Sequence, residues 1–88
     1  MNTKIHFCTT GRAPDRPPLK VGDFVKVRVH STPAELFWLE VVSIDLPKFT
    51  GRVDNDLELT HLHGIKYNDM LMLEENNVLG IMREELLN

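Results

Sequence analysis

Alternation of apolar and polar residues with a period of two runs through most of the chain. Val25, Val27 and Val29 alternate with Phe24, Lys26, Arg28 and His30, which predicts a strand whose valines face a core and whose basic residues face solvent. From Leu36 to Ile44 both faces are apolar: Phe37, Leu39 and Val41 on one, Leu36, Trp38, Val42 and Ile44 on the other, with Glu40 among them. That pattern predicts a central or bent strand covered on both sides, with Trp38 most simply in the core. Phe49, Gly51 and Val53 then alternate with Thr50, Arg52 and Asp54, and the glycine predicts a bend or a close backbone approach. Met70 to Leu73 and Val78 to Met82 read as two further strands, followed by a helical or frayed tail over MREELLN. Ile5 and Phe7, alternating with Lys4 and His6, permit a short N-terminal strand.

The connections are read from breaker residues. GRAPDRPP places a Pro-rich loop or arm at 11–19, because proline removes ladder donors and holds φ near −65°. STPAE links the first two strands, Asp45 to Lys48 forms a hairpin loop, Asn55-Asp56 is turn chemistry, and EENN makes another turn. His61 to Lys66 reads as a loop or a single helical turn. Lys66-Tyr67-Asn68-Asp69 repeats the layout of Lys20-Val21-Gly22-Asp23: lysine, apolar residue, a residue tolerant of positive φ, aspartate, then strand. Similar turns are therefore expected to launch both strands. Short strands at this spacing without a long helix predict a mainly β fold, a small antiparallel SH3-like barrel or rolled sheet of about five strands.

Eighty-eight residues suit one domain, 1–88. No apolar run approaches a membrane span, and MNTKIHFCTT lacks the apolar centre of a signal peptide, so a cytoplasmic location without membrane association is expected. The lone Cys8 excludes an intramolecular disulfide framework. A net charge of −3 hides an asymmetry: residues 1–52 carry eight Lys/Arg against five Asp/Glu, and residues 53–88 carry two against eight. Such polarity steers encounters with charged partners, whereas the overall acidity disfavours general nucleic-acid affinity.

VGDFVKV at 21–27, FWLEVVSID at 37–45 and FTGRVDNDLELTHLHGIKYND at 49–69 together resemble an uncharacterised bacterial domain-of-unknown-function family. Its members show a GD-initiated strand, a W-x-E-V strand, an F-x-G-x-[VL]-x-N-D segment and a second GD turn. The resemblance spans about residues 20 to 80 and carries over to Gly22, Asp23, Trp38, Glu40, Val41, Gly51, Asn55, Asp56, Gly64 and Asp69, while Asn68 stands where that family usually has glycine. It implies a small β-rich fold and no particular activity.

Candidate chemistry concentrates between Phe37 and Lys66. Asp54, Asn55, Asp56 and Glu58 are spaced as oxygen ligands for a hard cation, yet turn capping accounts for them without one. His61 and His63 would share a face if extended, but no third ligand at zinc spacing accompanies them, so no cofactor is expected. A hydrolase would use Glu40 with Asp54 or Asp56 as an acid/base pair, or His61 with a serine, and a metal-dependent one would centre on His61, His63 and Asp54-Asn55-Asp56, yet no nucleophile sits in a recognisable elbow. Lys26, Arg28, Lys48 and Arg52 with Phe24 form the basic face a nucleic-acid-binding barrel would use. The leading expectation is a non-enzymatic protein-interaction module with a protein partner, for instance a small inhibitor or immunity protein of a phage or mobile element. Its binding residues would be Trp38, Glu40, Asp54, Asn55, Asp56, Glu58, His61, His63 and Lys66.

Overall fold

The computed structural model describes residues 7–9 and 18–82. The expected strand residues Lys4 to His6, most of the Pro-rich arm and the tail after Met82 lie outside them. Five antiparallel strands make one sheet: β1 (Phe24–Val29), β2 (Glu35–Asp45), β3 (Lys48–Val53), β4 (Met70–Glu74) and β5 (Gly80–Met82). A four-residue helical turn, α1 (Thr60–His63), precedes β4, and a 3-10 turn at Glu75–Asn77 follows it. The order across the sheet is β4-β3-β2-β1-β5.

This order obliges the sheet to roll. In a flat sheet, four inter-strand steps would hold the two edges roughly 19 Å apart. The six-residue step from Glu74 to Gly80 reaches roughly 20 Å only when fully extended, and part of it is coiled into the 3-10 turn. Curling also encloses the core, made of Val25, Val27, Val29, Phe37, Leu39, Val41, Phe49, Val53, Ile65, Leu73 and Val78, with Leu19 at its margin. Phe7 makes an isolated antiparallel bridge with Val29 and sets its ring edge-on to Phe37 at 6.3 Å. Gly51 is the expected close approach: a Cβ there would stand 2.9 Å from Leu39 Cβ, so only glycine lets β2 and β3 press together at this point.

The alternation fails once. Uninterrupted, it would put Ile44 on the same face as Trp38, but the β2–β3 register shifts between Val41 and Ser43. The extra residue at this β-bulge flips the end of β2, so Ile44 pairs with Phe49 and packs against the core. Trp38 does not belong to the core; it lies half-buried on the opposite, outer face.

The two aspartate turns share one construction. In the first, Asp23 N–H donates to Lys20 C=O at 3.0 Å, Lys20 N–H donates to Asp23 Oδ2 at 2.8 Å, and Gly22 has φ 98°. In the second, Asp69 N–H donates to Lys66 C=O at 3.1 Å, Lys66 N–H donates to Asp69 Oδ2 at 3.0 Å, and Asn68 has φ 76°. Each then docks as a bulge on the neighbouring strand: Gly22 N–H and Asp23 C=O bond Val41, and Asn68 N–H and Asp69 C=O bond Val53. Strand register follows the same symmetry. Phe24 faces Glu40 as Met70 faces Arg52, Lys26 faces Trp38 as Met72 faces Thr50, and Glu40 faces Arg52 at the centre. The pairing of β1 to β4 is therefore two-fold symmetric about the Glu40–Arg52 pair.

Candidate functional site

The outer face of the sheet carries the most concentrated side-chain chemistry. Because directly paired residues share a face, one row runs Met82, Phe24, Glu40, Arg52 and Met70 across all five strands. The next holds Gly80, Lys26 and Trp38, with Lys26 Nζ 5.8 Å from the Trp38 ring centroid. Phe24, Trp38, Met82 and Asp54 line an open groove of about 290 Å³. Its floor is aromatic and thioether, unlike the valine-lined opposite face, and one wall is an ion network.

Arg52 organises that wall. Its guanidinium donates to Glu40 Oε1 at 2.9 Å, Asp54 Oδ1 at 2.8 Å and Asn68 Oδ1 at 2.8 Å, and its Cζ lies 6.0 Å from the Tyr67 ring centroid. The hydrogen bonds it donates to Glu40 and then to Asp54 hold the guanidinium pKa above its ordinary value, against a smaller opposing effect of burial. Each carboxylate is about a third exposed, so the network contributes orientation more than stability. Glu40 and Asp54 thus share one cation rather than facing each other across a cleft, which is not the geometry of a general acid/base pair.

The segment between β3 and β4 is held by a residue the sequence reading assigned to a plain connection, Glu35 at the start of β2. Its Oε2 accepts Glu58 N–H at 2.7 Å, and its Oε1 accepts Leu59 N–H at 3.0 Å and bonds His63 Nε2 at 2.9 Å. His63 Nδ1 accepts Ile65 N–H at 3.1 Å, so the ring proton sits on Nε2 and is donated to Glu35. Burial pushes the Glu35 carboxyl up, but the bonds from His63, Glu58 and Leu59 together outweigh it and leave the pKa lowered. Gly64, at φ 79°, ends the helical turn by donating to Thr60 C=O at 2.7 Å.

Of the expected binding residues, Trp38, Glu40 and Asp54 come together in the groove and its wall. Asn55 is structural: its Oδ1 accepts Trp38 N–H at 2.7 Å and its amide donates to Asp56 C=O at 2.9 Å, as expected of turn chemistry. Asp56, Glu58 and His61 are exposed beyond the groove, and Lys66 is exposed and paired with Asp69 at 3.4 Å. His63 is not a surface residue: it is 8 % exposed with both ring nitrogens bonded inside the protein. Nor do His61 and His63 share a face, because two steps on a helical turn rotate by about 200°. Phe24, expected only on a basic nucleic-acid face, and Met82, not expected at any site, complete the groove; the register between strands, invisible to local pattern, brings them together there.

Among the described residues no group of three or more His, Cys, Asp or Glu could hold a metal ion. No helix among them is long and apolar enough to cross a membrane. The basic stripe is interrupted, because Arg52 is bound by two carboxylates and Lys26 lies over Trp38. No protein-family model, curated protein or solved structure matches this chain.

Proposed function

We propose that this protein is a non-enzymatic interaction module that receives a protein segment on the outer face of its sheet. The observation that carries the reading is the groove itself: Trp38 and Phe24 half-buried with Met82 on the solvent side of the sheet, beside the Glu40–Arg52–Asp54 network. An aromatic floor with a charged rim is the arrangement in which binding energy concentrates at protein interfaces. Nucleic-acid binding is the weaker reading, since the cation nearest the centre of the face is already neutralised. Within the favoured class, an acidic inhibitor or immunity protein would present Asp54 at the groove, and Asp56 and Glu58 beyond it, to a basic partner.

The test pairs capture with mapping. Partners of the wild-type protein are recovered from the native host and identified by mass spectrometry, alongside Trp38→Ala. A partner held by wild type and lost with a folded Trp38→Ala, its titration shifting the amide resonances of Phe24, Trp38 and Asp54, is the expected result. A partner that binds both proteins equally, or shifts resonances elsewhere, overturns the site.

A further inference from the structure

β4 is an edge strand, and its neighbours define which of its backbone groups are open. Asp69 C=O accepts Val53 N–H on the β3 side, so residues 69, 71 and 73 direct their N–H and C=O groups to β3. Met70, Met72 and Glu74 therefore direct theirs away from the sheet. Glu74 N–H is taken by Asn77 Oδ1 at 2.9 Å, and just before Met70 the chain enters the Lys66–Asp69 turn. Among the described residues, what remains open is the backbone of Met70 and Met72, residues that are 58 % and 69 % exposed.

The symmetry of the sheet shows what such an edge receives. Lys26, the counterpart of Met72, gives its C=O to Leu79 N–H at 2.8 Å, and Phe24, the counterpart of Met70, pairs with Met82. On the β1 side β5 covers the edge; on the β4 side no strand among the described residues does.

We propose that a second copy of this chain covers β4, pairing β4 with β4 antiparallel about Leu71. In that register each Met70 meets the partner's Met72, and all the open groups of both edges are used at once. The four methionines then pack on one face. Charge favours the same arrangement. β4 follows Lys66, whose side chain is 72 % exposed beside Asp69, and ends at Glu74, so antiparallel pairing about Leu71 brings each strand's Lys66 towards the other's Glu74. A longer foreign strand would instead meet the turn at one end and the Asn77 cap at the other.

Sedimentation velocity over a protein concentration series tests this, with amide hydrogen exchange as the residue-level readout. The wild type is expected to pass from monomer to dimer as concentration rises, with Met70 and Met72 amides protected only in the dimer. Met72→Pro removes an N–H that β3 does not use, and Met72→Lys puts a charge on the edge; both are expected to abolish the dimer while keeping the wild-type circular dichroism spectrum. Lys66→Glu should weaken it, and Lys66→Glu with Glu74→Lys should restore it. A wild type that stays monomeric, or a dimer that survives both Met72 substitutions, overturns the proposal.

Discussion

The two halves related by the Glu40–Arg52 pair have the same backbone and different surfaces. Each consists of a turn closed by an aspartate, a bulge, and an edge-side strand paired to a central one. On the β1 half the outer positions are Phe24, Lys26 and Trp38, and β5 covers the edge; on the β4 half their counterparts are Met70, Met72 and Thr50, and no strand among the described residues covers the edge. Backbone geometry is set by a few turn residues that recur, whereas the outer face is free to differ because strand pairing alone does not constrain it. One half has thereby acquired an aromatic groove and the other a pairing edge.

The sharpest way to break this likeness is at the aspartates. Both carboxylates bond the N–H of the lysine three residues earlier, but Asp23 is 2 % exposed and Asp69 is half-buried. Removing Asp23 leaves polar groups unpaired inside the protein, and Asp23→Ala is expected to cost about 2 to 3 kcal/mol. Asp69→Ala, where water can replace the carboxylate, should cost about 1 kcal/mol. Urea unfolding of the two variants beside wild type measures the difference; equal losses would show that burial does not distinguish the turns.

Much of this was legible in the sequence, for a physical reason. β1 and β3 show their buried face as alternation, while β2 and β4 stand out as apolar runs bounded by turn residues, so all four were located to within about a residue or two. The Lys-x-Gly/Asn-Asp repeat disclosed the turns, because positive φ and an aspartate able to reach back are local requirements. Three features were not local. The bulge that turns Ile44 inward depends on β3 as much as on β2, so the doubly apolar FWLEVVSID foretells a bend without placing it. Trp38 sits in an apolar outer row, and whether such a row is core or surface depends on what covers the sheet. Glu35 works through Glu58, Leu59 and His63, 23 to 28 residues away in the chain, so its own surroundings in STPAE say nothing of it.

The positive-φ positions give a smaller contrast. Gly22 at φ 98° has no neighbour within 4 Å of an added Cβ, so Gly22→Ala meets no clash and pays only for its left-handed backbone, about 1 to 2 kcal/mol. Asn68→Gly relieves the same strain at the other turn but removes the acceptor that Arg52 uses, and the two effects should nearly cancel. Thermal unfolding of both variants gives the comparison: a clear drop for Gly22→Ala and little change for Asn68→Gly. A large loss in Asn68→Gly would mean that the Arg52 network stabilises the fold as well as orienting the face.

The halves are strapped together through Glu35, which ties the start of β2 to the segment before β4, and here the expected effect depends on pH. The folded-state pKa of Glu35 is lowered, so the carboxylate form is favoured by folding. Its contribution is therefore complete above the ordinary glutamate value of 4.5 and is lost as pH falls through the lower folded value. Glu35→Gln keeps an acceptor oxygen but loses the charge that strengthens the bonds from Glu58, Leu59 and His63, and should cost about 1 kcal/mol at neutral pH. As pH falls through the lowered folded value the penalty should shrink, because the wild-type carboxyl is then becoming protonated too. Unfolding curves for wild type and Glu35→Gln should accordingly converge on acidification. Curves that stay parallel across that range would mean that the amide fails by shape rather than by charge, and that the strap is held by packing around His63.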